Sequence, residues 1–168
     1  MDSATAYISL GGNMGNEAAL FGRAITCIGA WPGVSRKGAS ALYRTEPQGD
    51  TTQPWFCNQV ASFACDASVT PQWFLDSLLA LETELGRTRD PQRRFGPRAI
   101  DLDLLLFGNI VCTEDRLCLP HPRMTGRAFV LVPLADIAPD LVFPGGETVR
   151  DHLGRLDYTV NDRDIFQK

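Results

Sequence analysis

An α+β fold, with an antiparallel sheet and helices packed on it, is what this sequence predicts, and three features predict it. Short apolar runs stop at glycine or proline turns, two longer stretches keep helical spacing, and the pieces follow the order strand, helix, strand, strand, helix, strand. At 168 residues, with 44% hydrophobic and 21% charged, the chain is expected to form one domain over residues 1–168, with a core large enough to need no staples.

Ala6-Tyr7-Ile8-Ser9-Leu10 is a short apolar run stopped by Gly11-Gly12-Asn13, the pattern of a buried strand entering a tight turn. Asn16 is placed to cap a helix, and Leu20, Ala24, Ile25, Ile28 and Trp31 keep near-helical spacing up to Pro32-Gly33. Residues 34–45 and 55–66 read as two strands centred on Ala41-Leu42-Tyr43 and Val60-Ala61-Ser62-Phe63. The polar stretch Glu46 to Pro54 between them is too long for a tight hairpin, and connectors of that length are commonly working loops. Thr70-Pro71 opens a second helix whose stripe of Trp73, Phe74, Leu78, Leu81 and Leu85 ends at Gly86. Ala99 to Phe107 is the strongest strand and closes at Gly108-Asn109. This β-α-β-β-α-β order is that of the ferredoxin-like core, with helices on one face of the sheet. A C-terminal extension follows, with strand-like pieces near Ile110–Thr113, a helix-like run Arg127–Ala135 and a polar tail after Pro144.

The five cysteines, Cys27, Cys57, Cys65, Cys112 and Cys118, are odd in number and contain no C-x-x-C, which points to a reducing, cytoplasmic setting. No apolar run approaches the ~18 residues of a membrane span, and Met-Asp-Ser lacks the plan of a signal peptide, so no membrane partner is expected. A net charge of −4 argues against general nucleic-acid affinity. Yet fourteen of the sixteen basic residues are arginine, and Arg87, Arg89, Arg93, Arg94 and Arg98 fall within twelve positions. The guanidinium fork suits phosphate and carboxylate oxygens, so a small anionic ligand fits better than a nucleic acid.

Asp101-Leu102-Asp103 lies inside the strongest strand, so both carboxylates point one way, and Leu102, Leu104 and Leu106 are assigned to the opposite, core face. Two carboxylates side by side want solvent or a cation. Hard oxygen donors suit magnesium, which takes one or two protein carboxylates and completes its shell with water and phosphate oxygens. A bare D-x-D also fits a solvated strand face that binds nothing. Arg94-Phe95-Gly96-Pro97-Arg98 immediately upstream favours the metal-and-phosphate alternative, because a triphosphate with its magnesium needs guanidinium groups beside the carboxylates. Pro91, Gly96 and Pro97 make this stretch a loop rather than a charged helix face. His121, in Leu119-Pro120-His121-Pro122, is either a structural donor or a phosphate contact, with Arg116, Arg123 and Arg127 close in sequence. Phe56 and Asn58 share a strand face, as a core pair or as a stacking ring and amide for a heteroaromatic ligand. The Gly11–Gly15 turn carries neither phosphate-loop nor dinucleotide spacing.

Arg94-Phe95-Gly96-Pro97-Arg98-Ala99-Ile100-Asp101-Leu102-Asp103-Leu104-Leu105-Leu106-Phe107-Gly108 resembles the signature of the 6-hydroxymethyl-7,8-dihydropterin pyrophosphokinase family of folate biosynthesis. Leu119-Pro120-His121-Pro122-Arg123-Met124 with Arg127-Ala128-Phe129, and the segments Ala6–Asn13, Tyr43-Arg44-Thr45, Phe56-Cys57-Asn58 and Glu82 through Arg89, extend the likeness over about residues 5 to 150. The resemblance implies an ATP-dependent diphosphotransferase acting on 6-hydroxymethyl-7,8-dihydropterin, releasing AMP, as a monomer. It implies two Mg2+ ions on Asp101 and Asp103, with Arg87 and Arg98 also catalytic. It implies ATP contacts at Glu82, Arg89, Arg94, Phe95, Arg98, Leu104, Arg116, Cys118, His121 and Arg127. Pterin contacts are implied at Thr45, Gln48, Phe56, Asn58, Asp101 and Phe129. The sequence departs from the family where Phe95 replaces a frequent tryptophan, Phe56 and Pro122 a frequent tyrosine, and Cys118 a frequent threonine. The Gly86 to Phe95 loop is one residue longer than in some relatives. Two other readings share these features: a different magnesium-dependent phosphotransferase, and a ferredoxin-like ligand-binding module without turnover.

Overall fold

A computed structural model describes residues 3–88 and 90–168. The chain runs through β1 (Ala4–Gly12), α1 (Glu17–Gly29), β2 (Val34–Ala39), β3 (Tyr43–Thr45), β4 (Phe56–Cys65), α2 (Pro71–Glu84) and β5 (Asp101–Phe107). It continues through the ribbon β6 (Cys112–Thr113) and β7 (Cys118–Leu119), a 3₁₀ turn at Met124–Gly126, α3 (Ala128–Ile137), α4 (Val149–Leu153) and the hairpin β8 (Tyr158–Asn161) and β9 (Asp164–Gln167). The main sheet has the order β5-β1-β4-β3-β9-β8, with β2 also on β4.

The mixed α+β architecture is as the sequence predicts, and four details differ. The strand expected over 34–45 breaks into β2 and β3, both paired antiparallel to β4. Ser40 bridges the gap: its N–H donates to Val60 O at 2.8 Å and its Oγ accepts from Val60 N at 3.0 Å, so a side chain replaces a ladder carbonyl. The sheet is not wholly antiparallel, because β3 and β9 run parallel. Such a pair needs a long crossover, and everything from β4 through β8 lies between them. The polar tail after Pro144 is therefore part of the sheet. Helices cover both faces rather than one: α1 and α2 pack on Ala6, Ile8, Leu10, Phe63 and Leu102, while α3 packs on Val60, Leu105 and Leu106.

Leu106 is the fourth correction. Ile8 pairs with Leu104 but Tyr7 with Leu106, which leaves Leu105 as an extra residue in a β-bulge. The alternation resets there, so Leu106 joins the α3 face and Phe107 takes the place in the α1–α2 core. Upstream of the bulge the alternation holds, and Asp101 and Asp103 stay opposite the core.

Helix ends follow the local chemistry. Thr70 Oγ1 accepts from Trp73 N at 3.2 Å and Pro71 fills the first helical position of α2. Asn16 holds the cap position of α1 through a left-handed backbone (φ 65°) and makes no side-chain capping bond. At the far end of α2, Gly86 (φ +96°) allows Gly86 N to donate to Thr83 O at 3.1 Å and Arg87 N to Glu82 O at 3.0 Å. That double closure fixes where Arg87 leaves the helix.

Gly12, the last residue of β1, is required by close approach: a Cβ there would stand 2.4 Å from Ala99 O. The chain entering β5 thus crosses directly over the end of β1. Gly12→Ala is expected to lower stability by about 1–3 kcal/mol through overpacking. Urea unfolding checks this as a lower midpoint at unchanged slope.

Candidate active site

The face of β1, β4 and β5 that α1 and α2 do not cover opens, beyond the reach of α3, into a cavity of about 1230 Å³. Its floor follows from strand alternation. Ser9 and Gly11 of β1, Phe56 and Asn58 of β4, and Asp101 and Asp103 of β5 all line it. Register fixes them side by side, with Gly11 opposite both Asn58 and Asp101, and Ser9 opposite Asp103. Two loops form the walls, one from Thr45 to Gly49 and one from Arg87 to Arg98, and His121, Arg123, Arg127 and Phe129 close the third side.

The buried carboxylate of Glu82 organises the arginine wall. It is 3% exposed, accepts from Leu102 N at 2.8 Å through Oε1, and takes Arg87 Nη1 at 3.2 and 3.3 Å. Burial raises its pKa, opposed by the Leu102 N–H and Arg87 and reinforced by Asp101 and Asp103. Arg87 reaches on to Asp101, which also pairs with Arg98. One carboxylate of the strand pair is thus held by two cations.

Arginines also cover aromatic rings of the site, Arg94 lying 5.4 Å from the Phe95 centroid in the loop. The Arg98 guanidinium lies 4.9 Å from the Phe56 centroid and that of Arg127 5.5 Å from Phe129. A flat ligand stacking on either covered face displaces the arginine. Beneath Phe56, Asn58 is 5% exposed and its Nδ2 has no hydrogen-bond partner among the described residues. A buried amide donor left open in a cavity floor costs free energy until a ligand acceptor takes it.

His121 is set by the bulge: its N–H donates to the Leu105 carbonyl at 2.8 Å. Its Nδ1 accepts from Arg123 N at 3.2 Å, which leaves Nε2 as the donor of the neutral ring. Burial pushes the imidazole below its ordinary range, Asp103 opposes this, and Arg127 and Arg123 add to it. A neutral donor beside two arginines suits a phosphate oxygen.

The two loops are tied together. Asn13 exchanges two 3.0 Å bonds with Arg98, its N–H to Arg98 O and Arg98 N to its Oδ1. Its Nδ2 donates to Gln53 Oε1 at 2.8 Å, and Gln53 Nε2 donates to Phe95 O at 2.6 Å and Asp50 O at 2.8 Å. Asp50 then pairs with Arg93 across the loops. Asn13, Asp50 and Gln53 have no role in the sequence reading, where Asn13 is only part of a turn. Ser9 and Gly11 could have been found by applying to β1 the alternation used for β5.

Of the residues implied by resemblance, Thr45, Gln48, Phe56, Asn58, Arg87, Arg94, Phe95, Arg98, Asp101, Asp103, His121, Arg127 and Phe129 line the cavity. Four do not. Glu82 stands behind Arg87, and Leu104 is 4% exposed on the core face of β5 because of the alternation that brings Asp103 out. Arg116 is an exposed partner of Asp76 on α2 at 3.6 Å, and Cys118 sits half-buried in the β6–β7 ribbon. Arg89 lies outside the described residues. Arg93 and Arg123 line the cavity without having been singled out as site residues.

Paired strand carboxylates facing a ring of arginines, with an aromatic and amide floor, have the make-up of a site for transferring a phosphate group from a nucleotide. The description 7,8-dihydro-6-hydroxymethylpterin-pyrophosphokinase (HPPK) belongs to the family model that matches residues 7–139. The 2-amino-4-hydroxy-6-hydroxymethyldihydropteridine pyrophosphokinase of Methylorubrum extorquens is 49% identical over 152 residues, covering 90% of this chain and 93% of that protein. The protein of the same name from Pseudomonas aeruginosa is 44% identical over 157 residues, 94% of each. Among solved structures, wild-type HPPK-DHPS of Plasmodium falciparum with SDX-DHP matches in fold with a TM-score of 0.67 at 15% identity, over 98% of this chain. This chain spans about half of that one, 49% of its length. The chain belongs to the HPPK family.

The Asp50 carboxyl is pulled down to about 2 by the Thr52 hydroxyl and, next, by Arg93. Between that value and the ordinary 3.8 the unfolded chain binds more protons, so the clasp's contribution is whole above 3.8 and is lost as pH falls toward 2. Carboxyl-carbon NMR titration is expected to place Asp50 near 2 in the wild type and nearer 3.8 in Arg93→Ala. Identical midpoints would show that Arg93 does not hold it.

Proposed function

We infer that this chain transfers diphosphate from ATP to the hydroxymethyl group of 6-hydroxymethyl-7,8-dihydropterin, giving the pterin diphosphate and AMP in folate biosynthesis. The observation that carries this reading to particular residues is the pair Asp101 and Asp103, turned by the strand into a cavity ringed by arginines.

The donor set fits magnesium. Two hard carboxylates share one strand face, and a magnesium ion held by them would take the rest of its shell from water and phosphate oxygens. Asp101 and Asp103 are the residues assigned to hold two Mg2+ ions with the triphosphate. When bound, magnesium supplies neutralisation of the charge on the transferring group.

In this reading the alcohol oxygen of the pterin attacks the β-phosphorus of ATP, the bond from that phosphorus to the oxygen bridging to the α-phosphate breaks, and AMP leaves. The loose transition state asks for positioning and charge rather than a strong base. Phe56 and Phe129 stack on the pterin, the open Asn58 Nδ2 donates to it, and Thr45 and Gln48 border its edge. Asp101 accepts the hydroxyl hydrogen and orients the attacking oxygen. Arg87 and Arg98 exchange Asp101 for phosphate oxygens as ligands enter, while Arg94, Phe95, His121 and Arg127 contact the nucleotide and Glu82 positions Arg87. The loops at 46–54 and 87–97 keep water from the activated phosphate. We further assign a ferredoxin-like core, a single domain, a monomeric state and a cytoplasmic setting. Among the described residues no helix is long and apolar enough to cross a membrane.

The deciding experiment is magnesium-dependent AMP release from ATP with the hydroxymethyl-dihydropterin, run on wild type beside Asp101→Ala. Pterin-dependent AMP is expected, with a fall of about 100-fold or more in kcat for the variant and a smaller change in ATP affinity. ADP in place of AMP would indicate an ordinary kinase. A variant with normal turnover would remove Asp101 from the machinery.

A further inference from the structure

The segment beyond residue 139 lies outside the family match, yet its last strand reaches the site. β9 runs parallel to β3, with Thr45 opposite Ile165, and Ile165 packs against Tyr43 of β3 and Ala128 of α3. Strand alternation puts Gln167 on the same face as Ile165, toward α3, whereas Asp164 and Phe166 point away, to Arg44 and Trp55.

Gln167 uses both ends of its amide there. Its Oε1 accepts from Ala128 N at 2.8 Å, and its Nε2 donates to Gly126 O at 2.8 Å. The two bonds bracket Arg127, whose backbone is extended (φ −121°, ψ 106°) between the 3₁₀ turn and α3. A side-chain amide thus pairs with Arg127 as a neighbouring strand would. It also serves an N–H in the first turn of α3, a helix with no side-chain cap of its own. Arg127 has need of such fixing. Partly buried at the cavity wall, it makes no ion pair among the described residues, and besides the Phe129 ring it has Asp103 and Asp101 attracting it and Arg123 and Arg98 repelling it. With no direct ion pair to hold the guanidinium, the backbone sets where it starts from.

We propose that Gln167 is a positioning residue for the reaction, fixing Arg127 and, at the second position of α3, Phe129, so that the C-terminal hairpin supports the wall where nucleotide and pterin meet. The proposal rests on the pyrophosphokinase reading of the site. It concerns ligand binding in ground and transition states alike, so its loss falls on KM more than on kcat.

The test uses the full chain with Gln167→Leu, which keeps neither bond, and Gln167→Glu, which keeps the acceptor for Ala128 N. With melting temperature recorded for each, the expected result is a folded Gln167→Leu whose KM for ATP rises about tenfold while kcat changes by less than about threefold, with Gln167→Glu in between. A folded Gln167→Leu with wild-type KM values overturns the proposal, as does an equal loss in both variants that tracks only their stability. If Gln167→Leu does not fold, Gln167→Glu decides: a KM for ATP raised about twofold or more supports the proposal, and an unchanged one overturns it. Equilibrium binding of MgATP, followed by tryptophan fluorescence, makes the same comparison without turnover. Wild type that binds MgATP but forms no AMP would therefore count against the assigned reaction and leave the role of Gln167 to be decided by binding.

Discussion

Everything in this fold depends on β1 lying between β4 and β5 with both of its faces in use. Ile8 and Leu10 enter the core under α1 and α2, and the residues between and beyond them, Ser9 and Gly11, become cavity floor. Because side chains alternate with a period of two, the same pairing that buries the leucines of β5 obliges Asp101 and Asp103 to face Ser9 and Gly11. The core and the chemistry are two sides of one hydrogen-bonded ladder. A one-residue slip of β5 against β1 would turn both carboxylates toward the core.

The charge arrangement builds on that ladder from behind. Glu82 is expensive to bury, and it is retained between an N–H of β5 and Arg87, so a single carboxylate joins the end of α2 to the start of the aspartate strand. Arg87 and Arg98 then converge on Asp101, and Arg98 and Arg127 rest on the rings of Phe56 and Phe129. Arg87, Arg98 and Arg127 thus each rest on a carboxylate or a ring face. Loop order has a similar economy, since Asn13 and Gln53 link the turn after β1 to both loops with directed hydrogen bonds.

The parts of the site that were legible in the sequence lie on regular elements or within compact motifs. Asp101 and Asp103 could be assigned a common face because strand period is local, and Phe56 with Asn58 for the same reason. Leu104 follows Asp103, and the strand period that turns Asp103 to the cavity turns the Leu104 side chain into the core. Arg116 and Cys118, implied by resemblance alone, stand outside the cavity lining, Arg116 against Asp76 of α2 and Cys118 in the β6–β7 ribbon. Leu106 was misassigned because one inserted residue resets an alternation that apolar side chains on both faces cannot reveal. That bulge is also what presents the Leu105 carbonyl to His121.

By itself the sequence determined the order of the main elements, the shared face of the two aspartates, the arginine loop and the family, because these rest on local periodicity, on turn chemistry and on contiguous motifs. Tertiary structure alone decided that Glu82 acts behind Arg87, that Asp50 meets Arg93, that α3 covers the second face, and that a polar tail returns as a parallel strand to place Gln167 beside Arg127. Each of these joins residues that are distant in sequence or on separate elements, and their partners are chosen by packing and by the need to satisfy buried polar groups. No pattern within a short window of sequence encodes that choice.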